Sequence, residues 1–145
     1  MSANNPLLEV EDLHVYFQTE ADEDVRAVDG ISFQVQPGET TAIVGESGSG
    51  KTVTSEAITQ LFQSPPGYIP EGSVRLDGED LTEMSDQKIR AVRGGKISHI
   101  FQNPQGALNP VYTVGWQIRE AIVLHQDVSK AEANERAVEL MTQVG

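Results

Sequence analysis

One glycine-rich stretch, residues 45–52 with the sequence GESGSGKT, has residue types and spacing suited to binding phosphate groups. It matches G-x-x-x-x-G-K-[ST], the P-loop pattern, in which successive backbone N–H groups form an anion-binding nest. A helix starting there adds unpaired N–H groups and the positive end of its dipole. We therefore predict nucleotide contacts from every residue of the stretch: Gly45, Glu46, Ser47, Gly48, Ser49, Gly50, Lys51 and Thr52.

Two side chains of this stretch add chemistry that backbone groups cannot supply. Lys51 is predicted to reach the β- and γ-phosphates as a point charge, in a catalytic role, and the Thr52 hydroxyl is the expected Mg²⁺ ligand. The alternative is a glycine-rich turn that happens to contain Lys-Thr. The surrounding pattern favours the P-loop, because the motif requires a strand before it and a helix after it.

Both flanking elements are predicted from apolar patterns. The run Thr41–Val44 is typical of a buried strand that leads into the loop. Beyond the loop, a helical spacing puts four apolar residues on one face, and the helix is expected to end before the paired prolines Pro65-Pro66. The face consists of Val53, Ala57, Ile58 and Leu61.

The rest of the first hundred residues reads as strands and turns. We predict strands at residues 7–17, with an irregularity at Asp12-Leu13, and at residues 25–35, interrupted at Asp29-Gly30. Residues 19–24 form the hairpin tip between them, and Pro37-Gly38 marks a further turn. A short strand at residues 73–76 closes in the turn pair Asp77-Gly78. Residues 97–101 are predicted to form a second buried strand.

Three further helices are predicted. One covers residues 85–93, with Ser85 as its cap, Ile89 and Val92 facing inward, and Gly94-Gly95 ending it. The second covers residues 114–125, with an inward face of Val114, Ile118, Ala121 and Ile122. The third opens with the capping-box pattern Ser129–Glu132 and ends at Gly145. Its predicted apolar face is Ala133, Ala137, Leu140, Met141 and Val144.

The composition bounds the class of protein. The 145 residues have 38% hydrophobic content and no cysteine, which fits one ordinary domain without disulfides or thiolate chemistry. The net charge of −12 argues against a nucleic-acid-binding surface. The acidity has two explanations, a halophilic source or an ordinary acidic cytosolic protein. No apolar run approaches the ~20 residues that span a bilayer, and the N-terminus lacks a basic signal region.

Three stretches together resemble ATP-binding-cassette (ABC) ATPases. The P-loop resembles their Walker A motif, residues 100–104 (IFQNP) resemble their Q-loop, and residues 13–17 with 26–33 resemble their N-terminal antiparallel strands. The longer stretch at residues 101–115 is similar to ATPase subunits of oligopeptide, dipeptide and nickel importers. The resemblance implies an α/β fold, with a P-loop core, an antiparallel β subdomain and the start of a helical subdomain.

The resemblance also implies roles for single residues. Phe17 is expected to stack on adenine, with simple core packing as the alternative. Gln102 is the expected Q-loop glutamine, a Mg²⁺ ligand with a catalytic role, and its alternative is a polar residue that merely ends a strand. The implied cofactors are ATP and Mg²⁺. The implied division is a nucleotide-binding core at residues 1–102 and the first part of a helical subdomain at residues 103–145.

Several family motifs are missing from the 145 residues. The sequence contains no Leu-Ser-Gly-Gly-Gln, no run of four apolar residues followed by Asp-Glu (Walker B), and no switch histidine after it. It therefore resembles the N-terminal part of a longer ATPase, cut inside the helical subdomain. Such a parent would couple ATP hydrolysis to peptide import from the cytoplasmic face of the membrane. Its partners would be transmembrane permease subunits and a second ATPase subunit, as a homodimer or heterodimer.

Two other functions remain open from the sequence. One is a catalytically incompetent nucleotide-binding or assembly fragment, which the missing motifs favour for the chain alone. The other is an ABC ATPase that works without a membrane partner. The three histidines, His14, His99 and His125, lie too far apart in sequence to indicate a metal site. We interpret them as surface residues or as histidines satisfied within the core.

Overall fold

A long antiparallel hairpin begins the fold. Strand β1 (Leu8–Gln18) pairs with β2 (Asp24–Val35), which confirms the first two predicted strands. The predicted hairpin tip falls between them, although residues 21–22 lie outside the described parts of the chain, which are residues 5–20 and 23–145 of this computed structural model. The predicted irregularity is confirmed as well, because the register shifts between Val10 and Leu13.

Three short strands extend the hairpin into a sheet. They are β3 (Gly67–Tyr68), β4 (Ser73–Leu76) and β5 (Glu79–Asp80), and β4 pairs with the other edge of β1. The strand order is β2-β1-β4-β5, with β3 also paired to β1, and each pairing is antiparallel. The turn from β4 to β5 uses Asp77 at φ 53° and Gly78 at φ 80°, as the Asp-Gly pair predicts.

The register shift in β1 determines which side chains enter the core. Val10, Leu13 and Val15 are all buried, although strict alternation would send Val10 and Leu13 to opposite faces. The extra residue of a β-bulge restores both to the same face. Helix α1 (Lys51–Ile58) packs against β1 and β2 and buries Ala57 and Ile58. Leu61, predicted to share that face, lies beyond the end of the helix and is exposed.

The two predicted buried strands are not formed, and those predictions are wrong. Residues 41–44 adopt no strand, and Val44 is 90% exposed. Ile97 takes part in an isolated bridge with Arg93, whereas Ile100 is 89% exposed. An apolar run indicates that a segment is suited to burial. A strand forms only where a neighbouring strand pairs with its backbone N–H and C=O groups. In the described sheet no strand lies beside either run.

By their contacts, the described residues divide into two compact units between Ile89 and Arg90. The predicted boundary between residues 102 and 103 stays a prediction. Helix α2 (Asp86–Val92) spans the division, begins directly after Ser85, and buries Ile89 and Val92 as predicted. The turn at residues 94–96 ends it, with Gly94 at φ 79°.

The second unit contains two longer helices. A 3₁₀ turn (Pro104–Ala107) precedes α3 (Val114–His125) and α4 (Lys130–Val144). Ile122, Ala133 and Ala137 form the buried cluster between α3 and α4. The predicted capping box is confirmed, since Glu132 N–H donates to Ser129 Oγ (3.3 Å) and Ser129 N–H donates to Glu132 Oε2 (2.8 Å).

The buried faces of α3 and α4 are narrower than the apolar faces that the sequence predicts. Val114 and Ala121 on α3 are exposed, as are Leu140 and Val144 on α4. Two helices that pack on one another bury only the stripe at their contact, so residues at the margin of an apolar face stay in solvent. None of the helices in the described part of the chain has the length and apolar character that spanning a membrane requires.

Candidate functional site

The glycine-rich loop ends at the first residue of α1. Gly50 occupies the N-cap position at φ 87°, and no side chain there accepts a hydrogen bond from the helix. The first intrahelical bond runs from Thr54 N–H to Gly50 C=O (2.8 Å). The N–H groups of Lys51, Thr52 and Val53 precede that bond, so they belong to the set that a helix leaves unpaired at its start. This end of α1 therefore offers donors to an anion.

Gly50 can lie close to the β1–β2 hairpin because it has no side chain. Its left-handed backbone favours glycine, and a Cβ added there would collide with the carbonyl oxygen of Ala27 on β2. A close approach of this kind fixes the start of α1 relative to the sheet. The P-loop is therefore positioned by a backbone contact that a larger residue would break.

The ammonium group of Lys51 lies over the loop that precedes it. Nζ donates to the carbonyl oxygens of Glu46 (2.6 Å) and Gly45 (2.9 Å), and it lies 3.4 Å from Ser49 Oγ. A cation is thus held at the mouth of the loop, within a chain of net charge −12. Cationic side chains and backbone N–H groups at one place form a phosphate-binding arrangement. The structure brings residues 45–52 together, as the sequence analysis expects.

Phe17 lies elsewhere in the first unit, near the end of β1. It is half-buried, it pairs with Gly67 of β3, and its ring meets that of Phe62 edge to face at 6.4 Å between centroids. A Cβ on Gly67 would lie 2.8 Å from Phe17 Cε1. One edge of the ring is therefore committed to packing, while the rest has access to solvent. Both roles expected of Phe17 are compatible with this position.

Gln102 belongs to the second unit. It is exposed, and the neighbouring Phe101 packs its ring near that of His99, with centroids 4.6 Å apart. The side-chain amide of Gln102 is exposed at a bend of the chain, where a ligand or a partner can reach it. The roles expected of Gln102, as a Mg²⁺ ligand and a catalytic residue, stay predictions.

One positioning residue was missed by the sequence analysis. Gln117 of α3 folds back onto the preceding loop, where its amide oxygen accepts from Asn109 N–H (2.9 Å). Its amide nitrogen donates to the carbonyls of Asn109 and Tyr112 (3.0 Å each). The segment at residues 109–112 is thereby locked onto the start of α3. The available signal was a glutamine in the first turn of the predicted helix, next to a loop rich in polar backbone groups.

Comparison with known proteins identifies the family. The sequence model of the family described as "ABC transporter" matches residues 28–145, which is most of the chain. The chain belongs to the ABC transporter family. The match contains the glycine-rich loop and Gln102, whereas Phe17 lies before the matched residues.

Relatives of this ABC-family chain are similar over nearly all of it. It is 49% identical over 139 residues to the oligopeptide transport ATP-binding protein OppD of Bacillus subtilis, covering 96% of the chain and 38% of that protein. It is 48% identical over 139 residues to AppD, an oligopeptide transport ATP-binding protein of the same organism, covering 96% and 42%. The chain thus spans about two fifths of the length of these relatives.

A solved structure supports the fold. A dimeric ATP-binding cassette in a post-hydrolysis state, bound to ADP and Pi, matches with a TM-score of 0.77 and 24% identity. The match covers 91% of this chain and 54% of that one. At this identity the similarity concerns the fold alone, and it confirms the α/β cassette class expected from the sequence.

Proposed function

We propose that this chain is the ATP-binding portion of an ATPase subunit of an ABC importer for oligopeptides or dipeptides. Membership of the family supports ATP as the bound nucleotide, and the names of the two Bacillus relatives support peptides as the transported substrate. The observation that carries the proposal is the start of α1, where no side chain caps the helix N–H groups and the Lys51 ammonium group lies on the loop just before them. An anion with several oxygens satisfies both at once.

The phosphates of ATP would replace the present partners of Lys51. Nζ now donates to the Glu46 and Gly45 carbonyls, which are neutral acceptors. A phosphate oxygen carries formal charge, so its hydrogen bond with the ammonium group also gains the attraction between two opposite charges. The ammonium group would therefore turn from the loop carbonyls to the β- and γ-phosphates, while the backbone N–H groups of residues 45–52 enclose them.

Three further contacts with the nucleotide and its metal ion are part of the proposal. The exposed Thr52 hydroxyl, at the second residue of α1, is an oxygen ligand of the kind that Mg²⁺ prefers. Gln102 would offer a second oxygen ligand, and Phe17 would stack on the adenine ring. When bound, Mg²⁺ neutralises charge on the phosphates.

Turnover belongs to the longer protein in this proposal. Hydrolysis breaks the bond between the β-bridging oxygen and the γ-phosphorus as water attacks, giving ADP and inorganic phosphate. In the family, the carboxylate base of the Walker B motif and the Leu-Ser-Gly-Gly-Gln motif of an opposing subunit supply that step. The 145 residues contain neither of these motifs. We expect the longer protein to pair with a second ATPase subunit and with permease subunits at the cytoplasmic face of a membrane.

The competing function is a fragment that acts only through protein contacts and binds ATP weakly or not at all. The absence of the Walker B and Leu-Ser-Gly-Gly-Gln motifs from the sequence favours it. The two functions differ in nucleotide binding by the chain itself, because only the first requires a P-loop preorganised within these residues.

Calorimetry with Mg·ATP in high KCl separates them. We expect measurable binding by the chain and a loss of at least tenfold in Lys51→Ala, which is about 1.4 kcal/mol. Lys88→Ala, which removes an exposed lysine on α2, serves as the matched control and should leave the affinity unchanged. Circular dichroism of each variant establishes that it is folded. A folded chain that binds no Mg·ATP would support the competing function.

A further inference from the structure

We propose that Asp12, His14 and Glu71 form a binding site for a divalent transition-metal ion of the Zn²⁺ type, separate from the nucleotide-binding loop. One ligand atom from each of these residues lies within 4.8 Å of the other two. Zn²⁺ binds imidazole nitrogen and carboxylate oxygen at about 2.0–2.2 Å in tetrahedral sites, which places its ligand atoms roughly 3.3–3.6 Å apart. Asp12 Oδ1 and His14 Nε2 already have this spacing, at 3.3 Å. Closure by the exposed carboxylate of Glu71 asks for a side-chain movement of up to about 1.5 Å.

The backbone brings the three residues together although Glu71 is far away in sequence. Asp12 sits in the β1 bulge at φ 44°, and its N–H donates to Ser32 Oγ (2.9 Å). Two residues later, His14 N–H donates to the carbonyl oxygen of Glu71 (3.1 Å). The strand and the loop before β4 are thereby tied at the residues that supply the ligands. The bulge also directs Asp12 toward the His14 ring, with Asp12 Oδ1 at 3.3 Å from Nε2.

The other nitrogen of the His14 ring already has the partner that a metal-binding histidine needs. Nδ1 lies 3.2 Å from Asp29 Oδ1. Metal-bound histidines almost always donate their second N–H to a carboxylate or a carbonyl, which fixes the tautomer and the ring orientation. With its proton on Nδ1, His14 presents the Nε2 lone pair to the side where Asp12 and Glu71 lie.

Two further groups hold the Asp29 carboxyl group in place. Tyr16 Oη donates to Asp29 Oδ1 (2.9 Å), and Arg26 Nη1 lies 3.7 Å from Oδ2. The group behind His14 is thus fixed by contacts of its own, which suits the orienting role.

Space beside the ligands is kept open by a glycine. Gly30 lies on β2 at φ 78°, and a Cβ there would stand 3.1 Å from Asp12 Oδ1 and 3.3 Å from His14 Nε2. The side chain of His14 is 17% exposed and that of Asp12 is 59% exposed. An ion could therefore enter from solvent, and water could fill its remaining coordination positions.

The donor set points to a class of ion. One imidazole nitrogen with two carboxylates suits Zn²⁺ and its first-row neighbours, whereas Mg²⁺ and Ca²⁺ prefer all-oxygen sites. Without an ion, the same distances fit an imidazolium that bridges Asp12 and Asp29 as a simple ion-pair network. The two arrangements differ in whether Zn²⁺ reaches Nε2 of His14.

The test titrates ZnCl₂ into the full chain without nucleotide, in excess Mg²⁺ that occupies weak carboxylate sites. Calorimetry gives the stoichiometry and affinity, while ¹⁵N NMR of the labelled imidazoles reports on each histidine. Asp12→Asn and Glu71→Gln each remove one charged ligand while keeping size, and Asn tolerates the left-handed backbone at position 12. Glu83→Gln, at an exposed carboxylate outside the cluster, is the matched control.

We expect one equivalent of Zn²⁺, a shift of the His14 Nε2 resonance with His99 and His125 unchanged, and an affinity at least about tenfold lower in both cluster variants. Glu83→Gln should bind as the original chain does. An unshifted His14 resonance would overturn the proposal in favour of the imidazolium network. Equal affinity in the folded cluster variants and the control would overturn it in favour of scattered carboxylate binding.

Discussion

The ammonium nitrogen of Lys51 lies 2.6 Å from the carbonyl oxygen of Glu46, five residues before it in the same loop. The lysine therefore closes the glycine-rich loop on itself. These bonds are on the surface, where a single hydrogen bond adds little to stability. The contact keeps the charge at the place where a phosphate would need it.

Replacing Lys51 by Met should separate binding from stability. Met keeps much of the side-chain length but has no charge, so we expect Mg·ATP affinity to fall at least tenfold, about 1.4 kcal/mol. The free energy of unfolding should change by less than about 0.5 kcal/mol, as for other surface substitutions. Calorimetry and urea unfolding measure the two quantities. A large loss of stability with unchanged affinity would assign Lys51 a structural role instead.

Two glycines of the loop should respond differently to a methyl group. Gly48 and Gly50 both have positive φ, but a Cβ at Gly48 meets nothing within 4 Å, whereas one at Gly50 collides with the Ala27 carbonyl. Gly48→Ala should therefore cost the backbone strain alone, about 1–2 kcal/mol. Gly50→Ala should cost about 1–3 kcal/mol more. Urea unfolding of both variants checks the order, and equal losses would contradict the close approach to β2.

The cap of α4 should contribute to stability through Ser129. Its hydroxyl accepts from Glu132 N–H, and Ser129→Ala should lower the free energy of unfolding by about 1 kcal/mol. Ser129→Asp keeps an acceptor at the N-cap and should retain most of the stability. Thermal unfolding followed at 222 nm measures both variants. Equal stability of the Ala and Asp variants would show that the cap does not matter.

The same cap should make stability depend on pH. Hydrogen bonds from the Ser129 side chain and backbone lower the pKa of Glu132 below its ordinary value of 4.5. A lowered folded-state pKa stabilises the fold above the unfolded value, and that contribution disappears as pH falls through the folded pKa. Glu132→Gln keeps a side chain that can complete the cap but does not titrate.

Comparing urea unfolding of the two proteins from pH 7 to pH 3 tests this dependence. Relative to Glu132→Gln, the original chain should lose stability once the pH drops below 4.5. Parallel pH profiles would mean that the carboxylate contributes no more than the amide.

Two valines that the sequence places in strands should contribute very differently to the free energy of unfolding. Val15 in β1 is fully buried, whereas Val44 before the glycine-rich loop is 90% exposed. Val15→Ala should lower the free energy of unfolding by about 1.5–3 kcal/mol, from the lost burial of two methyl groups and the cavity left behind. Val44→Ala should change it by less than about 0.5 kcal/mol. A large effect at Val44 would restore the buried strand that its sequence predicts.

Elements whose signals are local were predicted well. The hairpin of β1 and β2, the Asp77-Gly78 turn and the capped helix from Lys130 follow from alternation, turn chemistry and capping within a few residues. The glycine-rich loop was predicted from its spacing and its flanking elements, of which the helix is formed and the strand is not. In each case the residues that create the pattern also make the contacts, so no distant partner was needed.

The two strands that were wrongly predicted share one physical cause. Residues 41–44 and 97–101 have the composition of buried strands, but a strand depends on hydrogen bonds from neighbours that composition does not reveal. The roles of Phe17 and Gln102 stay predictions, because they concern contacts with the atoms of a nucleotide and of Mg²⁺.

The sequence by itself determined the family, the glycine-rich loop before α1 and the local elements, because these depend on residue types at short spacing. Only the tertiary structure decided which apolar residues reach the core, since the bulge at Asp12 changes the face that each β1 side chain occupies. It also brought Glu71 to His14, across a separation that no spacing rule spans. Strands that are far apart in sequence bring such residues together when they pair. Their pairing is made by hydrogen bonds between backbone groups, so the residue types of one strand do not by themselves identify the strand beside it.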